Sequence, residues 1–201
     1  MAQKLEQLTD CLQRRLFVEL EASGRHVHLT KDHIQTLFGH DLTPAKPLSQ
    51  PGQFAAKERV SVRGPKGELH HVAVLGPDRP QTQVEISLTD GRALGIQPPI
   101  RLSGDVAGTP GCTITGPNGS VTIDHGVIVA QRHIHMSQCD AALQNVHDGQ
   151  VVRLKALTAR PVVFEDVAVR VHPQFSTAVH LDYDEANACG FRTGDLGMIL
   201  K

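Results

Sequence analysis

The sequence predicts a mainly β fold with short capping helices: two related β-barrel domains from an internal duplication, preceded by a short amphipathic N-terminal helix. Three observations carry this reading. From Phe17 onward, short runs rich in Val, Ile and Leu are separated by Gly and Pro, the texture of strands joined by turns. Four brief stretches between those runs open on a capping residue and stop quickly, which suits corners and lids rather than a helical layer. Finally, Gly24-Arg25-His26-Val27-His28-Leu29-Thr30 recurs 107 residues later as Gln131-Arg132-His133-Ile134-His135-Met136-Ser137, a period too long for a solenoid and suited to a duplicated barrel-like unit.

Each element follows from local pattern. Leu5, Leu8, Leu12 and Leu16 step by 3, 4 and 4, lining one face of a helix. So short a helix is marginal in water, and it either packs on its own domain or acts as a detachable docking peptide. Strands are expected at 59–63, 71–75, 83–88, 121–123, 127–130, 151–154, 162–171 and 178–181, mostly antiparallel. Gly64-Pro65-Lys66-Gly67 and Gly116-Pro117-Asn118-Gly119 supply hairpin turns, because Pro fixes φ and Gly accepts positive φ. Helices are expected at 31–38, 90–94, 138–143 and 183–189, capped by Thr30, Thr89, Ser137 and Asp182, with Glu185 completing a capping box in the last. The expected division is an N-terminal extension over 1–21, a first barrel over 22–124 and a second over 125–201, with strand exchange between the barrels allowed.

Composition excludes several functions. With 201 residues, 40% apolar, the chain can bury one large core or two small ones. Twenty Lys and Arg against 21 Asp and Glu leave no basic excess for a nucleic-acid backbone, and six Phe, one Tyr and no Trp make a poor base-stacking platform. No apolar run approaches the roughly 18 residues of a membrane span, and residues 1–16 lack the apolar region of a secretory signal, so a cytoplasmic chain with no nucleic-acid or membrane partner is expected. Cys11, Cys112, Cys139 and Cys189 form no C-x-x-C pair and read as reduced, buried thiols. Histidine is the outlier, at 12 residues.

The histidines point to metal chemistry. In a strand, residues i and i+2 share a face, so His26 and His28, and again His133 and His135, form two-point grips with the intervening apolar residue entering the core. Chance supplies roughly 0.7 bare His-x-His pairs in such a chain, but roughly 0.007 once a preceding Arg and two apolar neighbours are required; here the pattern occurs twice. A catalytic zinc takes three protein ligands and one open position, so each pair needs a third donor. Glu85, on the face left free by Val84 and Ile86, is one candidate, and His180, ending the run Ala178-Val179, is the other. Read alone, Glu85 is more often a solvated strand residue and His180 more often a surface or capping histidine. Arg79, six residues before Glu85, could hold an oxyanion through its planar fork or merely pair with Asp78. Ser103-Gly104-Asp105 could contact an anion or simply turn the chain. Phosphate-loop, dinucleotide, serine-elbow and zincin signatures are all absent from the sequence.

Taken together, these residues resemble the PduL-type phosphate acyltransferases (phosphate propanoyltransferases, or phosphotransacylases) of bacterial microcompartments. The matching stretches are Ser23 to Leu29, Leu48-Ser49-Gln50-Pro51-Gly52-Gln53-Phe54-Ala55, Gly76-Pro77-Asp78-Arg79, Gln81 to Ser87, Arg101 to Asp105, Arg132 to Met136 and Val179-His180-Leu181-Asp182, in the family's order. The resemblance implies two barrels with a dizinc site at their junction: His26, His28 and Glu85 on one Zn2+, and His133, His135 and His180 on the second. It implies Arg79 on phosphate, Ser103 helping to position phosphate or coenzyme A, and reversible transfer of an acetyl or propanoyl group between coenzyme A and phosphate. It also implies an encapsulation peptide near the N-terminus, with residues 1–16 engaging shell or cargo proteins and placing the enzyme in a microcompartment lumen; a homo-oligomer is compatible. The rivals are a dizinc hydrolase of a phosphate or amide substrate and a closed metal-binding module.

Overall fold

A computed structural model describes residues 2–200 of the chain; Met1 and Lys201, at the ends of the expected extension and second barrel, lie outside the described residues. In chain order the elements are α1 (Ala2–Leu16), β1 (Val18–Ala22), β2 (His26–His28), α2 (Lys31–Phe38), β3 (Pro44–Pro47), β4 (Phe54–Arg63), β5 (Glu68–Gly76), β6 (Gln83–Glu85), α3 (Leu88–Leu94), β7 (Ile100–Arg101), β8 (Cys112–Thr115), β9 (Ser120–Ile123) and β10 (Val127–Ala130). They continue with β11 (His133–Met136), α4 (Gln138–Gln144), β12 (Val151–Leu157), β13 (Val163–Val171), β14 (Ala178–Leu181), α5 (Tyr183–Cys189) and β15 (Leu196–Leu200). The chain is mainly β with short helices, as its patterning predicts.

Two compact units emerge: Gly24–Gln131, and the chain up to Ser23 joined with everything from Arg132 onward. The first is a nine-stranded half-barrel in the order β7-β10-β6-β2-β5-β4-β8-β9, with β3 beside β4. Its inner face buries Val27, Val62, Val72, Val74, Val84 and Ile114, and α2 lays Ile34, Leu37 and Phe38 into the same core, the i, i+3, i+4 spacing of an amphipathic helix. Both Gly-Pro turns close hairpins, between Arg63 and Glu68 and between Thr115 and Ser120. The second unit is a closed six-stranded barrel, β1-β14-β11-β13-β12-β15, packed around Val18, Leu20, Ile134, Met136, Leu154, Val179 and Leu181.

The two units borrow strands. β1 runs directly into β2, yet it pairs with β14 and β15; β10 runs directly into β11, yet it pairs with β6 and β7. Val18–Ala22, which hydropathy leaves mostly in an extension, is therefore a barrel strand, and Val127–Ala130 belongs to the half-barrel rather than to the C-terminal unit. Local patterning specifies a strand but not which of two similar sheets it joins.

Helix caps show the same logic at finer scale. Thr30, Ser137 and Asp182 each accept from the backbone N–H three residues on, as expected. The α3 cap is Ser87 rather than Thr89: with Asp90 three residues later, Ser87 completes a reciprocal capping box, which satisfies two orphan N–H groups instead of one. Cys112 and Cys189 are buried thiols, but Cys11 and Cys139 lie exposed on helices, contrary to the expectation that all four are buried. Leu5, Leu8, Leu12 and Leu16 remain 49–66% exposed, so α1 does not bury its apolar stripe. Polar contacts hold its end instead: Arg14 pairs with Asp140 at 2.6 Å, and the Gln144 side chain donates to the carbonyls of Arg14 and Phe17. Among the described residues no helix is long and apolar enough to cross a membrane.

Candidate metal centres

β2 lies antiparallel to β6, with His26 opposite Glu85, Val27 opposite Val84 and His28 opposite Gln83. Val27 points into the core with no exposure, so both imidazoles emerge on the face that Glu85 shares. His26 Nε2 is 3.5 Å from one Glu85 carboxylate oxygen and His28 Nε2 is 3.8 Å from the other. His26 Nδ1 lies 2.7 Å from the Gly24 carbonyl, an acceptor that fixes the tautomer and turns Nε2 toward the carboxylate.

The second unit repeats this register. β11 lies antiparallel to β14, with His133 opposite His180, Ile134 opposite Val179 and His135 opposite Ala178. His180 thus occupies the place of Glu85. The three rings sit with centroids 4.6–5.0 Å apart, His135 Nδ1 is 3.1 Å from His180 Nε2, and Glu21 on β1 lies 3.6 Å from His180 Nδ1. Each third donor that the sequence left between a ligand and a bland role is brought beside its histidine pair.

Do these residues fit a divalent ion? In each triad the donor atoms lie within 4.8 Å of one another. The Glu85 carboxylate is buried between two imidazoles, a placement that needs a compensating cation. His28 Nδ1 is buried with no hydrogen-bond partner. Two imidazoles with a carboxylate in one set, and three imidazoles in the other, are donor sets that suit zinc and its transition-metal neighbours. They fit.

Electrostatics prepares the first triad. Burial, reinforced by the positive charges of His26 and Arg79, pushes the His28 pKa down to about 3, which keeps that ring neutral and ready to ligate. Burial also works against the charged form of Glu85, but His26, His28 and the Ser103 hydroxyl outweigh it and hold the carboxyl well below its usual range. For His26, burial lowers the pKa while contact with Glu85 raises it, and the raising effect wins.

Arg79 and Ser103 meet. The Arg79 backbone donates to the Leu29 carbonyl at 2.9 Å, tying its loop to the end of the histidine strand, and its guanidinium donates to Ser103 Oγ at 3.1 Å. Gln83, a residue sequence reasoning did not assign a role, organises this corner. Its amide donates to Glu85 and to Ser103 Oγ, and its carbonyl oxygen accepts from Gly104 N at 2.8 Å. The signal was there: Gln83 stands at i−2 from Glu85 and therefore on the same face. An open cavity of about 440 Å³ borders Arg79, lined by Thr30, Lys31, Asp32, Asp78 and Pro80.

Comparison with known proteins decides the kinship, because a family model described as phosphate propanoyltransferase matches residues 19–192. The chain belongs to the phosphate propanoyltransferase family. It is accordingly an acyltransferase. The phosphate propanoyltransferase of Listeria monocytogenes is 54% identical over 186 residues, covering 92% of this chain and 87% of that protein. The Clostridioides difficile phosphate propanoyltransferase is 50% identical over 199 residues, 98% of this chain and 95% of its own, and that of Thermotoga maritima is 47% identical over 201 residues, 98% and 96%. The matched segment contains both donor triads, Arg79 and Ser103, whereas α1 precedes it.

Proposed function

We propose that the chain catalyses reversible transfer of an acetyl or propanoyl group between coenzyme A and inorganic phosphate, with His26, His28 and Glu85 holding one zinc and His133, His135 and His180 a second. The observation that carries this is the paired register: two donor triads in equivalent positions of a duplicated fold, the first tied through Gln83 and Ser103 to a guanidinium.

Phosphate is anionic at neutral pH, so the protein need not generate a nucleophile. Arg79 binds and orients it, its planar fork matching two phosphate oxygens, while Ser103 and Gln83 fix the direction of the guanidinium. A phosphate oxygen attacks the thioester carbonyl carbon, the carbon–sulfur bond breaks, and coenzyme A departs as a thiolate, a leaving group that needs no strong general acid. Zinc, when bound, would act as a Lewis acid that neutralises oxygen charge and polarises the carbonyl. α1 lies outside the catalytic match and presents a leucine face, and we assign it to docking on shell or cargo proteins of a microcompartment.

The test is a metal count on the purified chain combined with an assay of thioester formation from acetyl phosphate and coenzyme A. About two zinc per chain and thioester formation reversed by phosphate are expected, with activity lost on chelation. Hydrolysis of acetyl phosphate at the same rate without coenzyme A would replace this reading with that of a hydrolase.

A further inference from the structure

The arginine that opens each Arg-His-apolar-His stretch has no role in the scheme above. Arg25 precedes β2, and its guanidinium lies 3.3 Å from Asp90 Oδ1. Asp90 is the third residue of α3, and its other oxygen accepts from the backbone N–H of Ser87, the α3 cap. Ser87 stands two residues after Glu85.

The same construction appears in the other unit with different chemistry. Arg132 precedes β11 and lies 2.7 Å from Glu185 Oε1. Glu185 is the third residue of α5, and its Oε2 accepts from the backbone N–H of the cap Asp182 at 3.1 Å, two residues after His180. An Asp serves in one unit and a Glu in the other, yet each divides its two oxygens between the arginine and the cap. The pairs are partly shielded: the Asp90 and Glu185 side chains are 9% and 17% exposed, against 37% and 27% for the arginines.

We propose that Arg25–Asp90 and Arg132–Glu185 are duplicated clamps, each of which fixes the third donor of its triad against the histidine pair. Arg25 and Arg132 are positioning residues. Each ties the start of a histidine strand to the helix that terminates the strand carrying Glu85 or His180, so the two strands cannot slide or splay at the donor row. Second-sphere restraint of this kind governs how tightly a metal is kept. The inference rests on the zinc reading above.

The test uses two single-triad backgrounds of the full chain, His133→Ala/His135→Ala and His26→Ala/His28→Ala, loaded with zinc, with release to a chromogenic chelator followed over time. Arg25→Ala should accelerate release by about 10–100-fold in the background that retains the first triad and leave the other unchanged; Arg132→Ala should do the converse. Arg25→Lys and Arg132→Lys keep the charge, should recover part of the retention, and carry the same comparison where an alanine variant fails to fold. Equal release from clamped and unclamped chains, or acceleration in both backgrounds alike, would overturn the clamps as local devices. A chain with both triads intact that binds no zinc would overturn the zinc reading and the clamps' role with it.

Discussion

At the scale of single residues, Arg79 carries the sharpest expectation. Its contact with Ser103 and its place six residues before Glu85 set a delocalised cation beside the first triad. Arg79→Ala should lower kcat/KM by about 10²–10³-fold, mostly through phosphate, and Arg79→Lys should recover part, because an ammonium keeps the charge but loses the fork. Steady-state kinetics with varied phosphate checks this; unchanged constants would remove Arg79 from the reaction. The triads themselves were legible because strand periodicity is local: knowing that i and i+2 share a face suffices to pair His26 with His28. Their third members, Glu85 and His180, could be named as candidates but not chosen over a solvated or capping role from the residues alone, since register between distant strands depends on turns and bulges that hydropathy does not encode. Gln83 escaped because, besides its local bond to Glu85, its role lies in side-chain hydrogen bonds across the chain to residues 103 and 104.

Among elements, the duplication shows where the copies have diverged. In the first copy His33 Nδ1 sits 2.7 Å from Thr82 Oγ1, which also accepts from Thr30 N. The second copy has Asp140 in place of His33, bonded to Thr177, which accepts from Ser137 N in the same way. Because Asp140 is acidic, it can take Arg14 from α1. Burial raises the Asp140 pKa, but hydrogen bonds from Thr177, Ser137 and Arg14 outweigh it and leave the group below its ordinary value. A folded pKa below the unfolded value of about 3.9 means that the stabilisation is complete above that pH and disappears as pH falls through the folded pKa. Arg14 is 43% exposed, and solvent screening limits the pair to about 1 kcal/mol. Asp140→Asn should therefore lower the neutral-pH Tm by about 2–4 °C, with the gap closing below about pH 4; a gap independent of pH would rule out the ionic contribution. Deleting residues 2–16 should cost a similar amount and preserve acyl transfer and, if the docking role proposed for α1 holds, abolish co-purification with shells; unchanged co-purification would reject that role. The caps of α2, α4 and α5 could be read from sequence because a cap and its target lie three residues apart. The α1 anchor could not, because its partner lies 126 residues away.

For the whole molecule, the borrowed strands decide which pieces can stand alone. Residues 24–131 contain every strand of the half-barrel, its core and the first triad, and this fragment should melt cooperatively and bind about one zinc. Residues 132–200 lack β1, which supplies Val18 and Leu20 to the core, at 2% and 1% exposure, and bridges β14 to β15. Without it the barrel has two open edges, an invitation to aggregate, and the fragment should fold only when the β1 segment is supplied. Circular dichroism melts of both fragments check this, and cooperative unfolding of 132–200 alone would show closure by β1 to be dispensable.

Proteins are made from the N-terminus and domains fold largely in that order. On the ribosome the half-barrel can therefore be finished while much of the polypeptide is still unmade, whereas β1, translated before it, stays unmatched until β14 and β15 have emerged at the far end. The all-histidine triad is thus assembled last, and an early stop in translation yields a chain with one donor set complete and an orphan strand exposed to the cell's quality control.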